Sequence, residues 1–302
     1  MGRESLLSVA AMTAALQQAT LPIPRTVADH VADLAKAALL AELETWPKPG
    51  LVSHVDSGSH TDMDASTFVA SATAIAPFYD QLAVAGAVGS GMNTLREIGL
   101  EAERAMMAAT GGVNTHRGAI FGLGLICAAA GAVWSGTGRA ELQWRANVLG
   151  ATVRQRWGQA IMRGPIPLHS HGTNALHLFG AGGARAQAAA GFPHALDVGL
   201  PALRLGRRLA PDDPEAARVQ GFFAILASMD DTNLLHRGGG AGLRFAQETA
   251  AGFLGQGSVE LVEWCERAAA IHHAFVARRL SPGGCADLLA ITLFLDAMEA
   301  HS

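Results

Sequence analysis

The chain has 302 residues and a formal net charge of −4, with 16% charged against 50% hydrophobic residues. This balance excludes a disordered chain, and the slight acidic excess argues against a dedicated nucleic-acid binder. Small residues are abundant and lysine is rare, with 59 Ala, 35 Gly and 20 Arg against only Lys36 and Lys48. We attribute the general depletion of lysine to the codon usage of a GC-rich genome.

The cysteines and the longest apolar run indicate where in the cell the protein is expected. The three cysteines, Cys127, Cys265 and Cys285, are far apart and form no CxxC pair. This excludes a disulfide framework and a thiolate zinc site, and it predicts a cytoplasmic protein. The longest uncharged apolar run, residues 118–134, is shorter than the ~20 residues that span a bilayer, so we expect a buried core helix and no membrane association. Charge and polar residues near Glu4 argue against a secretory signal.

Hydrophobic periodicity predicts helices nearly throughout, in one all-α domain of residues 26–302 behind an N-terminal extension of residues 1–25. The predicted helices are 26–44, 66–86 with Pro77 as a break or kink, 94–109, 118–134, 139–162, 197–209, 214–229, 241–254, 258–279 and 282–299. Polar residues predict three helix starts: Thr26 as an N-cap, Thr94 with Glu97 as a capping box, and Ser281 as an N-cap. The irregular stretch 164–183 contains His169, His171, Asn174 and His177 without the HExxH spacing of zinc enzymes.

The first polar loop follows the first predicted helix. Pro47 and Pro49 place Lys48 at the tip of a stiff turn, where its ammonium is a suitable point charge for phosphate. Asp62 and Asp64 follow closely, and paired carboxylates are a common means of holding Mg²⁺ through oxygen ligands. The alternative is a solvated turn that only caps the next helix.

A second polar loop, residues 110–118, precedes the apolar helix. Its glycines allow backbone N–H groups to approach an anion, and the helix N-terminus that follows favours negative charge. His116 and Arg117 add side-chain donors. The loop is neither a P-loop nor a Rossmann fingerprint, because GxxxxGK[ST] and a preceding strand are both absent. A connecting loop without function is the alternative.

Two further acidic positions stand out. Asp230 and Asp231 precede Asn233 and Arg237, and acid, amide and base beside a glycine run suit a metal–phosphate site. Helix capping is the alternative role for either aspartate. Asp287 lies inside an otherwise apolar helix, where a buried carboxylate needs a partner, either an arginine or a metal.

These loops make the chain resemble the triphosphoribosyl-dephospho-CoA synthase family over about residues 35–298. The motifs that carry the resemblance are Glu42 with PKPGLV (47–52), GSHTDMD (58–64), Phe68, Ser71, PF (77–78), AE (102–103), TGGVNTHRGAIF (110–121), GFP (191–193), DTNLLHRGG (231–239) and SPGGCADLLA (281–290). Residues 56–63 and the THRG of 115–118, where THKG is common in the citrate lyase branch, resemble the malonate decarboxylase branch. The stand-alone chain, without a fused transferase domain, also resembles that branch.

The resemblance implies a reaction between two small-molecule nucleotides, ATP and 3′-dephospho-CoA. The ribose 2′-hydroxyl of dephospho-CoA attacks C1′ of the ATP ribose, adenine leaves, and the triphosphate stays on the transferred ribose. A separate holo-acyl-carrier-protein synthase then loads the product onto the acyl-carrier subunit. Apolar helices permit a homodimer without requiring one.

The residue types suit this chemistry, because carboxylates stabilise an oxocarbenium-like state and a hydroxyl nucleophile needs a base. Glu103 or Glu42 is the candidate base, with Asp287 a further candidate. Mg²⁺ binding or oxocarbenium stabilisation falls to Asp62, Asp64, Asp231 and Asp230, and Asp287 is also a candidate metal ligand. The candidates for substrate and phosphate binding are Lys48, His60, Asn114, Thr115, His116, Arg117, Asn233 and Arg237.

Two other classes remain open on the residues alone. An ADP-ribosyl hydrolase-like enzyme with acidic Mg²⁺ loops would release ADP-ribose and ignore dephospho-CoA. A non-catalytic CoA-nucleotide binding protein would bind dephospho-CoA without forming adenine.

Overall fold

The structure, a computed structural model, describes residues 23–137, 144–165 and 182–301 and is all-α across them, as the sequence predicts. The helices are α1 Arg25–Glu44, α2 Ala65–Ala87, α3 Met92–Ala109, α4 Arg117–Thr137, α5 Ala146–Arg163, α6 Gly183–Ala190, α7 Leu200–Leu209, α8 Pro214–Ser228, α9 Thr232–Gly255, α10 Trp264–Ala277 and α11 Gly283–Ala300. A π-helix, His194–Gly199, leads into α7, and a 3₁₀ turn, Ser258–Glu260, precedes α10. Most of the predicted N-terminal extension and the histidines at 169, 171 and 177, with Asn174, lie outside the described residues.

The predicted helix starts are wrong at three places, because each helix begins away from the polar residue. Thr26 and Thr94 lie inside the first turns of α1 and α3, whose caps make no side-chain hydrogen bond. Ser281 precedes the start of α11 by two residues and caps nothing. Side-chain caps are instead carboxylates: Asp64 at α2, Asp213 at α8 and Asp231 at α9.

Helix extents also differ from the prediction. α2 runs through Pro77 without a break. The helix predicted from residue 241 begins at Thr232, with non-helical geometry at Gly239, where φ is 58°. Glycine tolerates this left-handed φ, which explains how one apolar pattern continues across the kink.

The apolar helix α4 is the centre of the core. It packs against α1, α2, α3, α5, α6 and α11, and its longest contact is with α2. At that crossing a Cβ added to Gly86 would lie 1.8 Å from the carbonyl oxygen of Ala128, and one added to Gly131 would lie 1.8 Å from that of Ala83. The abundance of Ala and Gly therefore allows two helix backbones to approach closely.

Two described helices are long and apolar enough to cross a membrane by length and composition, Ala65–Ala87 and Arg117–Gly136. Core helices of globular proteins pass the same test, and 72% of the apolar window in Arg117–Gly136 is buried inside the fold. The second helix is thus the buried core helix that the sequence predicts.

The close crossing gives a stability prediction. Gly131→Ala places a methyl group against the α2 backbone, which cannot move aside as a side chain would, so the free energy of unfolding should fall by about 1–3 kcal/mol. Gly136→Ala in the same helix is the matched control, because nothing lies within 4 Å of its added Cβ. Denaturant unfolding measures both, and equal stability of the two variants would contradict the tight crossing.

Candidate active site

Most of the predicted site residues line one cleft of about 1050 Å³. Its walls come from α1–α6, α9 and α11 and from the loops that precede α2, α4, α9 and α11. The predicted residues that it gathers are Glu42, His60, Asp62, Glu103, Asn114, Thr115, His116, Arg117, Asn233, Arg237 and Asp287. Its volume lies just above the roughly 300–1,000 Å³ of small-molecule sites, which suits a large ligand or two ligands.

Lys48 lies behind the wall of the cleft and is fully buried, so its predicted position at the tip of a turn is wrong and no surface is left for a phosphate. Its Nζ donates hydrogen bonds to the Glu42 backbone carbonyl, at 2.6 Å, and to the Glu42 carboxylate. Burial raises the pKa of Glu42 and lowers that of Lys48, while the attraction between the charges opposes both shifts. Glu42 lines the cleft, so its carboxylate lies between the Lys48 ammonium and the cleft.

Asp287, near the start of α11, lies against the start of α4. A Cβ added to Gly118 would lie 1.9 Å from Asp287 Oδ2, so only glycine leaves room for this carboxyl group. Burial raises the pKa of Asp287 well above its usual range, the carboxylates of Glu42 and Asp231 raise it further, and a hydrogen bond from the Ala119 backbone N–H lowers it. No lysine or arginine pairs with Asp287 among the described residues, so the arginine that was one of its two predicted partners is not found there, and the raised pKa favours the protonated carboxyl group.

One end of the rim is formed by His60, Asp62 and Arg237. His60 Nε2 is 2.8 Å from Ser281 Oγ, and His60 Nδ1 is 3.4 Å from Arg237 Nη2 and 3.7 Å from Asp62 Oδ1. Burial and the Arg237 cation lower the pKa of His60, against the opposing effect of Asp62. The exposed guanidinium is thus the positive charge at this end of the cleft.

The loop before α4 forms another part of the rim. Asn114 Oδ1 accepts a hydrogen bond from the Arg117 backbone N–H, at 3.2 Å. Arg117 Nε donates to Glu103 Oε2 at 2.9 Å, between side chains that are 51% and 29% exposed. Such an exposed pair contributes little to stability and leaves the rest of the guanidinium for an anion.

Three predicted acids, Asp64, Asp230 and Asp231, do not line the cleft. Asp64 caps α2, and hydrogen bonds from Ser66 and Thr67 lower its pKa to about 2. Asp231 is fully buried and accepts two N–H groups of the first turn of α9 and one from the first turn of α11. Its burial raises its pKa, and these bonds oppose that rise. Asp231 therefore joins the ends of two helices.

The predicted metal set is not assembled. Within residues 23–137, 144–165 and 182–301, no group of three or more His, Cys, Asp or Glu side chains is placed to hold a metal ion. Asp64 and Asp231 are used as caps, and Asp230 is exposed and accepts a hydrogen bond from Gln247. Asp62 and Asp287 are the members of the set that line the cleft.

His116 lines the floor of the cleft and is only 4% exposed. Its Nδ1 is 2.7 Å from Ser71 Oγ, and Thr115 Oγ1 donates to Ser71 Oγ at 2.7 Å. Burial and the Lys48 cation lower the pKa of His116 to about 3. His116 is therefore uncharged at neutral pH and offers a phosphate no positive charge.

The sequence prediction missed three cationic or basic residues of the lining: Arg96, Arg185 and His236. Arg96 lies between Thr94 and Glu97, in the segment that was wrongly assigned as a capping box. Arg185 lies in α6, which was not predicted, and it donates to backbone carbonyls at the end of α5. His236 lies within the DTNLLHRGG motif, so the motif was the signal that could have found it.

The fold and the site together define a helical protein whose interhelical cleft has a buried and a partly buried carboxyl group at its floor and arginines at its rim, an arrangement suited to nucleotide-like polyanions. Comparison with known families matches residues 28–302 to the CitG family, described as ATP:dephospho-CoA triphosphoribosyl transferase. No solved structure matches the chain significantly.

Curated relatives agree over nearly the whole chain. A probable 2-(5″-triphosphoribosyl)-3′-dephosphocoenzyme-A synthase from Azotobacter vinelandii is 38% identical over 286 residues, 93% of this chain and 95% of the relative. The Klebsiella pneumoniae protein named 2-(5″-triphosphoribosyl)-3′-dephosphocoenzyme-A synthase is 37% identical over 281 residues, 90% of this chain and 92% of its own. The chain therefore belongs to the ATP:dephospho-CoA triphosphoribosyl transferase family.

The buried ion pair gives a prediction for stability and its pH dependence. Lys48→Met leaves Glu42 buried without a cation and should lower the free energy of unfolding by about 3–5 kcal/mol at neutral pH. The raised pKa of Glu42 means that the folded variant binds a proton more tightly than the unfolded chain, so the loss should shrink as pH falls through that pKa. Denaturant titrations from pH 8 to 5 measure this.

Two comparisons control the experiment. Glu42→Gln combined with Lys48→Met should be more stable than Lys48→Met alone, because no unpaired charge remains. Lys36→Met removes the other lysine, which lies within α1, and should change stability by less than about 0.5 kcal/mol. A Lys48→Met loss that does not vary with pH would contradict the ion pair.

Proposed function

We propose that this protein transfers the 5-triphosphoribosyl group of ATP to the ribose 2′-hydroxyl of 3′-dephospho-CoA and releases adenine. The observation that carries the proposal is the placement of two carboxyl groups, the buried Glu42 and the partly buried Asp287, at the floor of one large cleft with arginines at its rim. Family membership supports the same reaction.

The reaction needs two proton transfers, and each is assigned to one of the two carboxyl groups at the floor. Lys48 favours the ionised form of Glu42, so Glu42 is the group to accept the proton of the attacking 2′-hydroxyl. Asp287 holds its proton, because burial and neighbouring carboxylates raise its pKa, and it delivers that proton to the departing adenine. The O–C1′ bond forms as the C1′–N9 bond breaks, and both carboxyl groups face an oxocarbenium-like centre.

Glu103 is the less suitable base. Its side chain accepts a hydrogen bond from Arg117 and is 29% exposed at the rim. In the proposal Glu103 orients Arg117, and Arg117 and Arg237 bind the phosphates of the two substrates.

ATP enters as its magnesium complex in this proposal. An ion carried by the triphosphate needs only one or two protein carboxylates, and Asp62 at the rim is suitably placed for that. The phosphates would supply most of the Mg²⁺ ligands, which is consistent with the described residues, where no group of three or more His, Cys, Asp or Glu side chains is placed to hold a metal ion.

The finer role is malonate decarboxylase maturation rather than citrate lyase maturation. The supporting features are THRG at 115–118 and the loop at 56–63. The product would pass to a separate holo-acyl-carrier-protein synthase in the cytoplasm. A homodimer stays a prediction, which the mass of the protein in solution would test.

The direct test mixes the protein, ATP, Mg²⁺ and 3′-dephospho-CoA and measures adenine and the mass of the triphosphoribosyl adduct. Asp287→Asn keeps the shape of the side chain but has no proton to deliver, so kcat should fall about 10²–10⁴-fold. The fall of kcat that accompanies deprotonation of Asp287 at high pH should also disappear. Asp230→Asn is the matched control, because Asp230 is exposed outside the cleft, and its kcat should equal that of the unmodified protein.

Other outcomes identify the competing classes. Binding of dephospho-CoA without adenine would indicate a nucleotide-binding protein, and release of ADP-ribose from a modified substrate would indicate a hydrolase-like enzyme. Equal turnover of Asp287→Asn and Asp230→Asn would overturn the assignment of the acid. Transfer of the adduct to malonate decarboxylase but not to citrate lyase acyl-carrier subunits tests the branch.

A further inference from the structure

Three side chains form a hydrogen-bonded relay at the floor of the cleft. Thr115 Oγ1 donates to Ser71 Oγ at 2.7 Å, and Ser71 Oγ is 2.7 Å from His116 Nδ1. Ser71 is fully buried in α2, and its aromatic neighbour Phe68 packs edge-on against the His116 ring with centroids 4.9 Å apart. The ring is therefore fixed in both position and orientation.

The relay selects one tautomer of His116. Ser71 Oγ already accepts from Thr115, and a buried hydroxyl proton needs an acceptor of its own. The nearby acceptor is His116 Nδ1, so Nδ1 carries the lone pair and Nε2 carries the proton.

Among the residues that the structure describes, none is a hydrogen-bond partner of His116 Nε2, although this atom is buried. Leaving a buried donor unpaired costs about 1–3 kcal/mol, so the fold maintains this group at a cost. Ser71 occupies the other ring nitrogen, and the ring lines the cleft, so Nε2 is the atom left for a ligand. A pKa of about 3 makes the neutral ring a poor proton acceptor, and donation is the role that remains.

The charges around His116 indicate which part of a ligand it meets. The Glu42 carboxylate belongs to the same floor, and it repels phosphates. The exposed cations Arg117 and Arg237 lie at the rim and attract phosphates. A nucleotide therefore places its uncharged ribose and base, which carry oxygen and nitrogen acceptors, toward the floor.

We propose that His116 Nε2–H is an uncharged hydrogen-bond donor to the ribosyl–adenine half of ATP, and that Ser71 is the positioning residue that fixes this tautomer, with Thr115 behind it. The inference rests on the proposed function for the identity of the ligand. The tautomer itself is a property of the free protein.

The first experiment measures the tautomer in the protein without substrate. Selective ¹⁵N labelling of histidine and two-bond ¹⁵N–¹H spectra distinguish a protonated Nε2 from a protonated Nδ1, and the spectrum of His116→Gln assigns the signals by their loss. We expect His116 with protonated Nε2 from pH 8 to 5. Ser71→Ala should shift its nitrogen signals toward a mixture of tautomers, because Nδ1 then lacks its donor. A protonated Nδ1 in the unmodified protein would overturn the proposal.

The second experiment measures adenine release with ATP, Mg²⁺ and 3′-dephospho-CoA. His116→Leu removes the donor and should lower kcat about 10²–10³-fold, the effect typical of one donor at a reacting centre. His116→Gln keeps an N–H close to the position of Nε2 and should retain at least about tenfold more activity than His116→Leu. Equal losses in the two variants would contradict donation and favour a proton-acceptor role.

Ser71→Ala tests positioning. We expect kcat to fall about tenfold with little change in the KM for ATP, because the donor is still present but populates the wrong tautomer part of the time. Ser258→Ala is the matched control: it removes another buried serine hydroxyl, bonded to Gln220 outside the cleft, and should leave kcat and the histidine spectrum unchanged.

The two experiments separate this inference from the proposed function. Absence of adenine from the unmodified protein would overturn the proposed function while the spectrum still reports the tautomer. Adenine release with unchanged kcat in Ser71→Ala would overturn the positioning role alone.

Discussion

The pairing of Lys48 with Glu42 is the interaction on which the arrangement of the cleft depends. Two charges that burial disfavours are retained together, because either one alone would be far more costly. The pair joins the end of α1 to the loop that follows it, since the Lys48 ammonium binds both the carboxylate and the backbone carbonyl of Glu42. It thus determines which face of α1 the loop covers and where the Glu42 carboxylate points.

The loop that carries Lys48 is fixed from the other side by the C-terminal helices. His272 Nδ1 lies 2.8 Å from the Lys48 carbonyl oxygen, and Ser59 Oγ donates to the Leu280 carbonyl at 2.6 Å. Gly50, with φ of 69°, passes so close to Leu280 that a Cβ would lie 2.0 Å from its carbonyl oxygen. Residues distant in sequence therefore meet at one point, and the floor and the rim of the cleft are both attached to it.

Much of the architecture could be predicted from the sequence, because helical periodicity is a local property. The polar loops were found for a similar reason: their residues are out of place in an apolar chain, and most of them do line the cleft. The position of Lys48 could not be predicted, since nothing local shows that a lysine between two prolines turns inward. Asp231 shows the same limit, because a carboxylate suited to a metal is equally suited to three backbone N–H groups. Ser71 could not be assigned a role before its distance from His116 was known.

The crossing of α2 and α4 influences how the cleft meets its ligands. Alanine and glycine have no side-chain rotamers to change, so an interface built from them cannot adapt by small local rearrangements. Gly86 and Gly131 bring backbone directly against backbone there, and α4 continues from this crossing to the cleft floor. The part of the cleft wall that α4 forms is therefore preorganised, and the entropic cost of ordering it is met during folding rather than during binding. At this wall, we expect nucleotides to be selected by how well their shape complements a rigid surface.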